Sequence, residues 1–94
     1  MPEVHFRVRW PDDSVMHAYS PSSTIKDALR LGHPYPVAEF VAQSRAALEH
    51  ASDRVAQRYG FGCGHAAAQI REIERVAQGF NGASQTVIVE AFED

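Results

Sequence analysis

The sequence predicts an α+β domain: a three-stranded antiparallel sheet, in the chain order β-β-α-α-α-β, with a helical hairpin packed on one face. Three observations carry that prediction. Glu3 to Trp10 alternates polar and apolar residues, Pro36 to Phe80 repeats apolar residues at intervals of three and four, and Ser84 to Phe92 is rich in β-branched residues. The 94 residues suffice for one such domain, spanning 1–94, and for a single core.

In the first strand Val4, Phe6, Val8 and Trp10 share one side, and Glu3, His5, Arg7 and Arg9 share the other. Pro11-Asp12-Asp13-Ser14 supplies the turn, because proline sets φ and the two carboxylates accept hydrogen bonds from nearby backbone N–H groups. Val15 to Tyr19 returns as the second strand. A turn centred on Asp12-Asp13 points Val15, His17 and Tyr19 inward, whereas a one-residue bulge points Met16 and Ala18 inward; the cost of burying His17 favours the bulge. Ser20-Pro21-Ser22-Ser23 ends the strand. Ser22 or Ser23 then caps a short helix, Thr24 to Leu31, with Ile25, Ala28 and Leu29 inward and Gly32 closing it. Gly32-His33-Pro34-Tyr35-Pro36 reads as an extended linker, and Pro36 suits the first position of the long helix, where its missing N–H would have no partner.

The long helix is expected to run to Tyr59. Val37, Phe40, Val41, Ser44, Leu48, Ala51, Val55 and Tyr59 form its apolar stripe, and Glu39, Gln43, Glu49, His50, Asp53, Arg54 and Gln57 its polar face. Gly60 in the left-handed conformation ends it, and Phe61 covers the corner. A second helix starts near His65 and buries Ala66, Ile70, Ile73, Ala77 and Phe80. After the break at Asn81-Gly82-Ala83, the last strand pairs beside the first, with Val87, Val89 and Ala91 on one side and Ile88, Glu90 and Phe92 on the other.

Composition narrows the function. With 45% hydrophobic and 22% charged residues, the chain has the make-up of an ordered globular domain. Nine basic against twelve acidic residues, a net charge of -3, provide no overall field to draw in nucleic acid. The single cysteine, Cys63, cannot form an internal disulfide, which fits a reducing cytoplasm. No apolar run nears the roughly 20 residues that span a bilayer. Met1-Pro2-Glu3-Val4-His5 lacks the basic-then-apolar order of a signal peptide, so a cytoplasmic location is expected.

Several residues invite a chemical role. Cys63, beside a helix N-terminus and two residues before His65, has the surroundings that stabilise a thiolate and a neighbour able to activate it. Most free cysteines behave instead as small buried apolar groups, and in a helix-to-helix corner that is the favoured reading of Cys63. Gly60, Gly62 and Gly64, with Cys63 and His65, can form a concave row of N–H groups for an anion. That row follows a helix, however, where phosphate-binding glycine loops follow a strand, and capping alone accounts for Gly60. His5, His17, His33, His50 and His65 contain no pair at the helical spacing of metal ligands, so no metal or other cofactor is expected. Arg7 and Arg9 with His5 make a small basic patch that reads as solvated surface. Ile88 and Phe92 point away from Val87 and Val89, which makes them candidates for an interface with a second copy, by sheet-face packing or edge pairing.

Val8-Arg9-Trp10-Pro11-Asp12 at the first turn, Tyr19-Ser20-Pro21-Ser22 after the second strand, Tyr35-Pro36-Val37 with Phe40-Val41 and Ser44-Arg45 opening the long helix, and Tyr59-Gly60-Phe61 with Cys63 at the corner occur here in one order. In that combination the chain resembles a small family of bacterial nitrogen-starvation response proteins. The resemblance implies a place among the products of a nitrogen-scavenging gene cluster, beside a nitrilase, a radical-SAM-type protein and an acetyltransferase, acting on nitriles or cyanide. It brings no catalytic residues with it. The expectation is therefore a cytoplasmic accessory protein that acts by binding, as a homodimer, without nucleic acid or membrane as partner. The alternative is a small enzyme or ligand carrier using the Cys63 and His65 corner.

Overall fold

The computed structural model describes residues 3–59, 64–80 and 85–93, and of 54–59 the helical backbone alone. Its sheet grows from β1 (Val4–Arg9), whose alternation buries Val4, Phe6 and Val8, with Trp10 continuing the buried side just past the strand end. β2 (Val15–Ser20) returns antiparallel, with Phe6 opposite Ala18 and Val8 opposite Met16. The turn sets that register. Asp13 N–H donates to the Trp10 carbonyl and Trp10 N–H to the Ser14 carbonyl, both at 2.9 Å, while Asp13 sits at φ 68°. This is the three-residue hairpin connection that ends on a left-handed residue, and Asp13 is the extra residue that turns Met16 and Ala18 inward and His17 outward.

α1 (Ile25–Ala28) is a single turn, shorter than the predicted Thr24 to Leu31, and Ala28 is exposed where the sequence pattern places it inward. Leu29 leaves the helical region at φ -123°, ψ 133°, and its side chain is buried. The chain then bends at Gly32, φ 72°, whose N–H donates to the Val89 carbonyl at 2.9 Å. Next comes β3 (Tyr35–Pro36), which pairs Tyr35 with Val87 and Pro36 with Thr86 on β4 (Thr86–Glu93). The sheet thus has four strands in the order β2-β1-β4-β3, where the sequence predicts three. Proline is the reason: Pro34 and Pro36 hold the linker extended, and an extended backbone beside β4 takes up its otherwise free edge groups. Pro36 therefore ends a strand, and α2 (Val37–Tyr59) starts one residue later than expected.

α2 runs 23 residues, about 34 Å at 1.5 Å per residue, and sets the long dimension of a molecule 40 × 22 × 17 Å in extent. It buries Phe40, Ser44, Leu48 and Ala51, and α3 (Gly64–Ala77) buries Ala66, Ile73 and Ala77. The two helices cover the side of the sheet carrying Phe6 and Val8. At the centre, the Trp10 ring meets Phe40 edge-on at 5.6 Å and stacks on Phe80 at 5.8 Å. Among the described residues no helix is long and apolar enough to cross a membrane.

β4 departs from simple alternation. Arg7 faces Ala91 but Val8 faces Val89, so Glu90 is an extra residue and the strand bulges there. Val87 and Val89 stay inward as predicted. Beyond the bulge the sides exchange: Ala91 turns outward, and Phe92 turns inward opposite Phe6, its ring 6.4 Å away. The expectation that Ile88 and Phe92 share an outer face is thereby corrected, since only Ile88, opposite Arg9, lies on that face.

Candidate functional site

The outer sheet face is built by β1, β2 and β4. Arg7 and Arg9 both reach Glu90 there, Arg7 Nε at 3.4 Å and Arg9 Nε at 2.9 Å. The hydrogen bond from Arg9, reinforced by the charges of Arg9 and Arg7, holds the Glu90 carboxyl below its ordinary range against the opposing effect of desolvation. The basic patch read from the sequence is therefore a mixed-sign cluster. Alternation already placed Glu90 on the outer side; the register that sets it between Arg7 and Arg9, with the strand bulging there, is what the sequence pattern left open. Around the cluster lie Val15, at 41% exposure, and the half-buried Ile88 and Ala91.

One end of this face meets α3. Gln69 Oε1 accepts the Tyr19 N–H at 3.0 Å, covering part of the β2 edge. The Tyr19 ring lies 6.0 Å from His65 and 5.7 Å from His5, so three aromatic rings line up from the start of α3 across to β1. His65 is exposed, and the space around Gly64 is open. Gly60, Gly62 and Cys63 lie outside the described residues, as does Phe61. His17 stands opposite Arg7 and is not directly opposite His5. Among the described residues no group of three or more histidine, cysteine, aspartate or glutamate side chains gathers as a metal site.

The helical side carries a groove that sequence reasoning missed. Its floor is where α1 lies against α2, and it has two neighbouring lobes that share Asp27, Ala28 and Gln43 in their walls. The polar lobe, about 400 Å³, is walled by Arg30, His33 and Tyr35; the other, about 610 Å³, by Thr24, Ala46, Ala47 and His50. Tyr35 is 6% exposed, and its hydroxyl accepts the Arg30 backbone N–H at 2.8 Å. The His33 ring stands edge-on to the Tyr35 ring at 4.5 Å. Sequence hints existed: three alanines on facing helices leave space between them, and a tyrosine between two prolines is held in a fixed extended conformation.

No curated protein and no solved structure matches the chain. One family model does, that of nitrogen starvation-induced protein NitG, and it matches residues 5–92, from within β1 to within β4. Its span takes in the hairpin, all three helices and the strand that completes the sheet, so the chain belongs to the nitrogen starvation-induced NitG family.

Proposed function

We propose that the protein is a cytoplasmic accessory factor of bacterial nitrogen scavenging from nitriles or cyanide, acting by binding and assembling as a homodimer through its outer sheet face. The observation that carries this reading is the Arg7–Glu90–Arg9 cluster beside Val15 and Ile88. A face that presents both signs of charge next to apolar surface is self-complementary: a two-fold axis sets the arginines of one copy against the glutamate of the other. The sheet edges favour the face over the edge as the route, because Gln69 covers β2 at Tyr19, and β3 with Gly32 covers β4. Membership of a nitrogen starvation-induced family supports the physiological setting.

Sedimentation equilibrium between about 1 and 100 µM tests the assembly. A dimer is expected, with Ile88→Glu yielding a folded monomer. A protein that stays monomeric throughout, and also ignores each purified protein of its gene cluster, removes the proposal.

A further inference from the structure

We infer that the groove between α1 and α2 binds a small carboxylate with an apolar tail. This goes beyond the assembly just proposed and lies on the helical side, away from the outer sheet face. The polar lobe supplies the head site. Because the Tyr35 hydroxyl accepts the Arg30 N–H, its own proton is left to donate, and a hydroxyl has one proton to give. The Arg30 side chain forms no ion pair among the described residues, and its planar fork matches a carboxylate. His33, exposed over the Tyr35 ring, adds a further donor, and the lining sets two cations, Lys26 and Arg30, against the single Asp27 carboxylate, so the local balance of the head site is towards an anion although the chain carries a net charge of -3.

The second lobe supplies the tail site. Ala28, Ala46 and Ala47 line it with methyl groups, and the surface from Gln43 to His50 rises about 10 Å along α2, at 1.5 Å per residue. A carboxylate seated between Arg30 and Tyr35 can therefore lay its chain past Gln43 along the alanines.

Amide NMR titration of the full chain with butyrate, hexanoate and octanoate is the test. The expected result is shifts at Ala28, Gln43 and Ala47, with affinity rising about fourfold per methylene. Arg30→Gln, a change at an exposed residue, is expected to weaken octanoate about tenfold. Ala46→Phe, also exposed, fills the tail lobe and is expected to abolish the gain with chain length while the fold is kept. Octylamine binding as tightly as octanoate would overturn the head site. Shifts elsewhere, or none in the millimolar range, would overturn the groove altogether.

Discussion

Trp10 ties the outermost residue of the first strand's buried side to both long helices. Its ring lies against Phe40 of α2 and against Phe80 just beyond α3, and only 2% of it is exposed. Its inward side was legible from alternation alone. Its two ring partners were not, because they depend on where the helices cross the sheet. Trp10→Ala removes the largest buried side chain at this point and should destabilise the fold by about 3–5 kcal/mol, read as a lower urea midpoint by circular dichroism. Glu90 carries the second prediction at this scale. Its carboxyl is held below its ordinary value, so the stability it contributes is present above the unfolded glutamate value near 4.3 and is lost as pH falls through the lower folded value. Asp12, accepting from Ser14, and Glu72, paired with Arg75, shift in the same direction. Thermal midpoints should therefore decline below about pH 4. In Glu90→Gln that decline should be shallower, and the midpoint at neutral pH lower.

At the scale of elements, legibility followed the length and regularity of the pattern. α2 was readable along its described length because a stripe of period 3.6 over 23 residues has few alternatives. β3 was not, since two residues carry no period and a proline argues against a strand unless it lies on an edge. β2 shows how chemistry can stand in for pattern: its alternation allows either facing, and the cost of burying His17 selected the one that occurs. The bulge at Glu90 offered no such aid, because either Ala91 or Phe92 makes an acceptable core residue. The α1–α2 groove left only scattered hints for another reason: its walls are separated in sequence, and each alone looks like ordinary helix surface. The contact between α3 and β2 belongs to this scale as well. Gln69 is the acceptor that closes the strand edge at Tyr19, so Gln69→Ala should cost about 1 kcal/mol. The Tyr19 amide should then exchange with solvent faster than in the parent protein, whereas amides of β1 should slow or quicken only with the global change in stability. Unchanged exchange at Tyr19 would mean that the edge is protected by something other than this hydrogen bond.

At the scale of the whole molecule, the topology closes the chain on itself. β1 is the first strand and lies between β2 and β4, so half of its hydrogen-bonding partners arrive with the last strand, and Arg9 finds Glu90 across 81 positions of sequence. The hairpin of β1 and β2 is available early, but a lone hairpin is marginal in water, and its buried side needs Val87 and Val89 as well as the helices. The helices in turn lack a surface to lie on until the sheet is wide enough, which makes folding one cooperative event with a large share of distant contacts. A chain ending at Phe80 keeps both long helices and the hairpin yet loses β4 and with it the pairing of β3. It is expected to show no cooperative urea transition and a red-shifted emission from Trp10, the one tryptophan and so an unambiguous probe. Adding a synthetic peptide of residues 81–94 should restore blue-shifted emission in a saturable manner, because the missing strand supplies both hydrogen bonds and core side chains without needing a covalent link. A truncated chain that still unfolds cooperatively with its tryptophan buried would show instead that the hairpin and helices form a self-sufficient core, with β4 added as an outer strand.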